Sequence, residues 1–168
     1  MIHKYIFITI IFFLISCEPD DICSNATQTT PRLVIEFYNI ENSNELKTVP
    51  ALFAVGLDTD GNEINITNEI VSSRDRIELP LNGSVNSLRF KLYKNYDLID
   101  GVTSGNFDII NMNYFTEIEF VSRSCGFMNK YTIEELGIEI DSDPWMNAVT
   151  ISSYEVKNEN ITHVQIFH

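Results

Sequence analysis

The segment Asp58-Thr59-Asp60-Gly61-Asn62-Glu63 gathers the side-chain oxygens that calcium prefers as ligands. Its register does not fit a calcium loop. If Gly61 takes the invariant glycine position, the first ligand falls on Gly56 and the bidentate glutamate position falls on Thr67. Asp-Gly between two apolar alternations is also a strong hairpin signal. The sequence therefore predicts a turn here and no metal site.

Glu117 and Glu119 are the best candidates for paired acid and base chemistry. Two residues apart on a strand, their carboxylates share a face at about 7 Å, a separation found in glycosidases. The wet face of an antiparallel strand gives the same pattern. We interpret the pair as a solvated face and keep a carboxylate-dependent hydrolase as an alternative.

The segment Gly101–Gly105 has the outline of a nucleophile elbow, with Thr103 at its centre. An elbow needs a strand before it and a helix after it, and the surrounding pattern offers only strands. The histidines His163 and His168 are expected on opposite faces of the last strand, where neither is placed to activate a nucleophile. We predict a loop at 101–105, no catalytic residue and no cofactor.

Aromatic side chains suggest a second kind of site, a platform on which a sugar could stack. The candidates are Trp145, Tyr93, Tyr96 and Tyr154. Trp145 could instead fill the core, which is the commoner role of a single tryptophan at the start of a strand.

The elements that would position these residues are strands, because apolar residues recur at period two from Arg32 onward. We predict an all-β fold, a single antiparallel β-sandwich of immunoglobulin-like or similar type with eight or nine short strands. The predicted strands are Arg32–Tyr38, Ala51–Leu57, Glu63–Thr67, Arg76–Leu81, Ser87–Tyr93, Phe107–Ile110, Tyr114–Ser122, Ala148–Val156 and Thr162–Phe167.

Three local features refine this prediction. Pro80 cannot donate a hydrogen bond to a neighbouring strand, so Arg76–Leu81 is expected at a sheet edge. Thr132-Ile133-Glu134-Glu135 is a capping box and predicts a short helix that ends at Gly137. In Ser87–Tyr93 the predicted inward residues are Leu88, Phe90 and Leu92, and the predicted outward residues are Arg89, Lys91 and Tyr93.

The amino terminus has the pattern of an export signal: Lys4 precedes the apolar segment Tyr5–Ile15. As a helix this segment would span about 16 Å, too short for a bilayer core of about 30 Å. Leu14-Ile15-Ser16-Cys17 resembles a bacterial lipobox, which implies a diacylglycerol on the Cys17 sulfur and an acyl chain on its amine. The alternative is an ordinary secretory signal. We divide the chain into a signal peptide (1–16), a lipidated tether (17–31) and a β-sandwich domain (32–168).

The chain contains three cysteines, and lipidation of Cys17 would leave Cys23 and Cys125 in an oxidising compartment. Two remaining cysteines suggest one disulfide, although two free thiols remain an alternative. A bridge closing about a hundred residues would stabilise the fold by at most about 4.7 kcal/mol. It would also leave only Glu18–Ile22 as a free tether, with a reach of at most about 18 Å, so the domain would sit against its membrane.

The net charge of −13, from 11 basic and 24 acidic residues, limits the class of partner. The chain has no basic run, so nucleic acid is excluded as a partner. Anionic lipid headgroups would be repelled, so the acyl chains must hold the protein to the membrane. The acidic residues Glu18, Asp20 and Asp21 resemble the signal that sends Bacteroidota lipoproteins to the cell surface. The leaflet, periplasmic face or cell surface, stays open.

Four segments together resemble a family of small Bacteroidota lipoproteins that is catalogued only as a domain of unknown function. They are Cys17–Cys23, Thr29–Leu33, Val121–Gly126 and His163–Ile166. The resemblance implies a paired Cys23 and Cys125 and an anchored location at the outer membrane. We therefore expect a non-enzymatic binding or structural module with an envelope protein or a glycan as partner. The alternative is a carbohydrate-binding or other ligand-binding surface lipoprotein.

Overall fold

The computed structural model describes residues 22–24, 29–66, 71–139 and 141–168. Within these residues there are eleven strands and no helix. The strands are β1 Leu33–Tyr38, β2 Val49–Leu57, β3 Glu63–Ile64, β4 Ser72–Arg74, β5 Arg76–Leu79, β6 Ser87–Ile99, β7 Val102–Ser122, β8 Gly126–Ile138, β9 Ala148–Ile151, β10 Glu155–Val156 and β11 Val164–Phe167. The predicted signal peptide and Cys17 lie outside the described residues.

The strands form two sheets. The small sheet has four strands in the order β5-β1-β11-β9, and its β1 and β11 are parallel while its other pairs are antiparallel. The large sheet is antiparallel, with seven strands in the order β10-β8-β7-β6-β2-β3 and β4 paired to β2. It curls like half a barrel. The all-β, sandwich-like prediction is confirmed, although the one parallel pair was not foreseen.

The core lies between the sheets because alternate residues of each strand point inward. The small sheet contributes Leu33, Ile35, Phe37, Ile77, Leu79, Val164 and Ile166, and the large sheet contributes Phe90, Leu92, Ile110, Met112, Tyr114, Tyr131 and Ile133. Trp145, between β8 and β9, packs against Phe37 of β1 with ring centroids 6.0 Å apart. The segment before β9 therefore closes one side of the core.

The prediction of an edge position before Pro80 is confirmed. β5 ends at Leu79 and pairs only with β1, at one edge of the small sheet. A proline there removes no ladder hydrogen bond.

The predicted helix at 132–135 is wrong, because these residues lie inside β8. β8 pairs with β7 over almost its whole length, and Ile133 is buried in the core. A capping box satisfies only one helix end, whereas the strand pairs with β7 along its length and buries an apolar face. Gly137 does not end a helix either. It lies in β8 opposite Asn111, whose Oδ1 would be 3.0 Å from an added Cβ.

The predicted number and length of strands also differ from the structure. Phe107–Ile110 and Tyr114–Ser122 are parts of one 21-residue strand, β7, since the polar residues between them pair with β6 and β8. Ala148–Val156 is instead two strands, β9 in the small sheet and β10 in the large sheet. Of the predicted strand Glu63–Thr67 only Glu63–Ile64 is β3, and Thr67 lies outside the described residues.

No helix among the residues described above has the length and apolar content needed to cross a bilayer.

Candidate functional site

A disulfide joins Cys23, ahead of the first strand, to Cys125 in the turn between β7 and β8. The two Cα atoms are 4.9 Å apart and the cysteines are 102 residues apart in sequence. Thr30 strengthens the attachment, because its Oγ1 accepts a hydrogen bond of 3.0 Å from the backbone N–H of Asn129. The predicted pairing of Cys23 and Cys125 is thus confirmed, and it fixes the start of the domain to the β7–β8 hairpin.

The acidic segment at 58–63 is a turn between β2 and β3, as predicted. Asp58 Oδ1 accepts hydrogen bonds from the backbone N–H groups of Asp60 and Asn62, and Gly61 has a φ of 85°. The hydrogen bond from the Asn62 amide to Asp58 is the main cause of a lowered pKa at Asp58. In the described part of the chain no group of three or more His, Cys, Asp or Glu residues could hold a metal ion.

The segment 101–105 is only partly the predicted loop. Asp100 and Gly101 have φ values of 52° and 81° and form a two-residue turn between the paired residues Ile99 and Val102. The remainder of the segment belongs to β7, where Thr103 pairs with Leu98. No elbow geometry exists at Thr103, since strands lie on both sides of the turn.

The two histidines flank β11 and are both buried. His163 Nδ1 accepts a hydrogen bond of 3.0 Å from the Val34 N–H, and His168 Nε2 lies 3.1 Å from the Lys47 carbonyl oxygen. Loss of solvation on burial is the main cause of a lowered pKa at each ring. Both rings are buried and connect segments that are distant in the chain.

Glu117 and Glu119 lie on the exposed face of β7, next to basic residues. Lys130 on β8 forms an ion pair with Glu119. Lys157 has a raised pKa, chiefly because of its hydrogen bond to Glu155, and the charges of Glu117 and Glu119 add to that effect. This arrangement matches the solvated-face interpretation.

Of the four aromatic residues proposed as a platform, the structure brings Tyr93 and Tyr96 together, with ring centroids 5.3 Å apart, but not the other two. Trp145 is buried in the core, where it donates a hydrogen bond of 3.2 Å from Nε1 to the Leu92 carbonyl. Tyr154 is exposed next to β8, away from Tyr93 and Tyr96. The expectation that Tyr93 is a solvent-facing residue is wrong as well. It points away from the core, but it is only 3% exposed because other aromatic rings cover it.

Those rings define a different site on the outer face of the large sheet, which we call the aromatic cluster: Phe53, Tyr93, Tyr96 and Phe107. Phe53 on β2, Tyr93 on β6 and Phe107 on β7 are cross-strand partners in one row. Ring centroids are 4.3 Å apart for Phe53 and Tyr96, and 5.5 Å apart for Tyr93 and Phe107. Phe107 is exposed, and Phe53 and Tyr96 are partly exposed.

A charged pair borders the aromatic cluster. Lys91 Nζ lies 3.8 Å from the centroid of the Phe107 ring and 2.7 Å from Glu63 Oε1. Burial opposes the charge of Lys91, but the hydrogen bonds to Glu63 and Tyr93 outweigh it and raise the pKa of Lys91. Loss of solvation on burial is the main cause of a raised pKa at Tyr93, and its hydrogen bond to Glu63 adds to that effect. The site thus offers apolar ring faces beside fixed donors and acceptors.

Sequence reasoning named Tyr93 and Tyr96 as candidates but missed Phe53 and Phe107, because these two residues are distant from each other in the chain. Phe53 and Phe107 meet only through the pairing of β2, β6 and β7. The Asp-Gly turn at 100–101 does not indicate the Tyr93 and Phe107 pair either, because an irregularity between Lys94 and Asp97 shifts the register of the β6–β7 hairpin before that pair is reached. No local pattern relates Phe53 to them.

Asp108 is a buried acid that the sequence did not single out. It is 1% exposed, and its Oδ2 accepts hydrogen bonds of 2.9 Å from the Trp145 N–H and 2.6 Å from the Met146 N–H. Among the residues that the structure describes, its Oδ1 has no hydrogen-bond partner. Desolvation is the main cause of a raised pKa at Asp108, and the nearby charge of Asp141 adds to it. Asp108 holds the segment that inserts Trp145 into the core.

A second exposed apolar region lies at the end of the β7–β8 hairpin. We call it the tip patch: Ile118, Phe120 and Phe127, which are 73%, 57% and 69% exposed. Phe120 and Phe127 are cross-strand partners with ring centroids 5.4 Å apart. The disulfide attaches Cys23 to the same hairpin end.

Fold and surface define the class as a two-sheet, all-β protein with an aromatic outer face and a disulfide-fixed amino-terminal segment. Residues 51–168 match a family described as "Family of unknown function (DUF6452)", and the chain belongs to this family. The match begins after the residues 17–33 that carried part of the resemblance to lipoproteins. No curated protein and no solved structure matches the chain.

Proposed function

We propose that this protein is a lipid-anchored cell-envelope lipoprotein of a Bacteroidota-type bacterium, and that it acts as a non-enzymatic binding or structural module. Cys17 would carry the acyl chains and hold the domain at the outer membrane, on its periplasmic face or at the cell surface. The lipobox-like residues 14–17 and the apolar segment before them support the anchor.

The observation that carries this proposal is the disulfide between Cys23 and Cys125. It joins the end of the tether to one end of the β7–β8 hairpin, and only the five residues Glu18–Ile22 lie between Cys17 and Cys23. These residues reach at most about 18 Å, so the hairpin end would lie close to the membrane when Cys17 is acylated.

The aromatic cluster would then face away from the membrane. Phe107 precedes Ile118 by eleven residues on β7, which corresponds to about 36 Å along an extended strand. A surface held at that distance is accessible to an envelope partner. Partly exposed aromatic rings are typical of the anchor residues in binding interfaces.

Binding of a carbohydrate or another planar ligand is the second candidate, and the aromatic cluster is the observation that favours it. Phe53, Tyr96 and Phe107 offer apolar ring faces, and Lys91 and Glu63 offer polar groups beside them. A ligand site of this kind combines apolar contact with a few fixed polar groups. The rings are tilted by 36° to 74°, so a sugar would contact their edges and faces rather than one flat platform.

Growth of the native host with an alkyne-bearing fatty acid tests the anchor. We expect the wild-type protein to incorporate the label and to fractionate with membranes. Cys17→Ser should lose both properties because it lacks the sulfur that is acylated. Cys23→Ser is the matched control: it removes the disulfide but should still be labelled. Equal labelling of wild type and Cys17→Ser would contradict the proposal.

Substitutions in the aromatic cluster test the binding role. Phe107→Ala and Phe53→Ala should abolish cross-linking of the native protein to its envelope partner. If the partner is a glycan, they should abolish retention on arrays of envelope glycans. Phe115→Ala removes an exposed ring of the same strand outside the cluster, and it should change neither result. Binding that survives both cluster substitutions would exclude the cluster as the binding surface.

A further inference from the structure

We propose that the tip patch contacts the lipid bilayer, with Ile118, Phe120 and Phe127 inserted at the membrane interface beside the anchor. This inference rests on the proposed acylation of Cys17 for its geometry. It goes further, because it assigns the membrane a direct contact with the folded domain.

The tip patch continues the inward face of the large sheet beyond the part that the small sheet covers. Alternation along β7 places Ile118 and Phe120 on the same face as the buried residues Met112 and Tyr114. Phe127 joins them because it pairs with Phe120 across the hairpin. Three large apolar side chains, each more than half exposed, therefore lie together at one end of the molecule.

The position of the disulfide indicates which surface covers this patch. Cys125 lies two residues before Phe127, about 7 Å along the strand, and it is bonded to Cys23. A tether of five residues then holds Cys23, and with it the hairpin end that carries the patch, within about 18 Å of the acylated cysteine. Ile22, next to Cys23, is also an exposed apolar residue at 81% exposure. A bilayer is the one partner that this geometry brings to the patch permanently.

The charges near the patch are compatible with a membrane surface. Residues 116–130 contain two acidic side chains, Glu117 and Glu119, and two basic side chains, Arg123 and Lys130, so this segment is neutral in a chain with a net charge of −13. Alternation places both glutamates on the opposite face of β7 from Ile118 and Phe120. The acidic side chains therefore need not enter the headgroup region when the patch does.

Tryptophan fluorescence with brominated lipids tests the contact, because the chain has one native tryptophan and it is buried. The lipidated full chain would be reconstituted in vesicles of phosphatidylcholine with brominated acyl chains. Phe120→Trp should lose much of its added fluorescence to the bromines. Phe115→Trp, at nearly the same exposure on the opposite face of the strand, should lose none. Unquenched Phe120→Trp on vesicle-bound protein would overturn the proposal.

A second arm separates this proposal from the anchor itself. The chain with Cys17→Ser would be mixed with the same vesicles at high lipid concentration. We expect weak partitioning that falls about tenfold in the Phe120→Ser variant and is unchanged in Phe115→Ser. If the full chain proves not to be acylated, this arm still tests whether the tip patch contacts the bilayer. Equal partitioning of the Phe120→Ser and Phe115→Ser variants would refute that contact.

A second copy of the chain is the competing occupant. Sedimentation of the Cys17→Ser protein without lipid should show a monomer. A dimer that dissociates on Phe120→Ser but not on Phe115→Ser would assign the patch to self-association and contradict the membrane contact.

Discussion

Asp108 is predicted to stabilise the fold through its two hydrogen bonds and not through its charge. Its Oδ2 accepts from the backbone N–H groups of Trp145 and Met146, while desolvation raises its pKa and makes the buried charge unfavourable. Asp108→Ala leaves two buried N–H groups without an acceptor, at about 1 to 3 kcal/mol each. Relief of the buried charge offsets part of that loss. We expect a net loss of about 3 kcal/mol in the free energy of unfolding.

Asp108→Asn separates the two contributions. Its amide oxygen can accept both hydrogen bonds, and its NH₂ group would replace the unpaired Oδ1 and could donate toward Asp141. We expect its stability to lie within about 1 kcal/mol of wild type or above it. Urea denaturation followed by the emission of Trp145 measures all three proteins. If Asn is as destabilising as Ala, the charge itself is required and the reasoning is refuted.

The pH dependence of Asp108 has a defined sign. Because the folded pKa of Asp108 is raised, its contribution to the free energy of unfolding is complete below the unfolded pKa of about 4. That contribution is lost as the pH rises through the folded pKa. Asp108→Asn should lack this component of the pH profile. An identical profile for both proteins would contradict the raised pKa.

Three further predictions concern other parts of the fold. Burial lowers the folded pKa of His163 and His168, so their contribution to the free energy of unfolding is complete above the unfolded pKa of about 6.5 and is lost as the pH falls below it. Unfolding midpoints between pH 7 and pH 5 measure this loss, and His163→Gln should make the midpoint less dependent on pH. Replacing Cys23 and Cys125 by serine should lower the free energy of unfolding by up to about 4.7 kcal/mol in non-reducing urea titrations, and a stability that is unchanged by reduction of the wild type would contradict it. Gly105→Ala should destabilise more than Gly101→Ala in thermal denaturation: both glycines have a positive φ, but an added Cβ at Gly105 would lie 2.8 Å from the Asn95 carbonyl oxygen, whereas at Gly101 nothing is within 4 Å.

The sequence predicted those features of the fold that depend on local chemistry. The Asp-Gly turn at 60–61 and the edge position before Pro80 follow from φ preference and from a missing N–H, which act within a few residues. The disulfide followed from the number of cysteines. The capping box at 132–135 misled because a local helix signal was outweighed by the pairing of β8 with β7.

The candidate sites were less predictable because they depend on contacts between distant residues. Tyr93 was correctly placed on the outer face, but its burial under Phe53, Tyr96 and Phe107 depends on the register of three strands. Asp108 could not be recognised, since its partners are backbone groups 37 and 38 residues away. The tip patch has the alternation of an ordinary buried strand, and only the extent of the second sheet leaves it exposed.

The lipid anchor at Cys17 is the claim on which the proposed location and the membrane contact both depend. Intact-mass measurement of the protein extracted from its native envelope tests it directly. We predict a chain that begins at Cys17 and carries a diacylglycerol and an amide-linked acyl chain, with Cys23 and Cys125 oxidised. A chain that retains residues 1–16, or one whose processed amino terminus carries no fatty acid, would contradict the account.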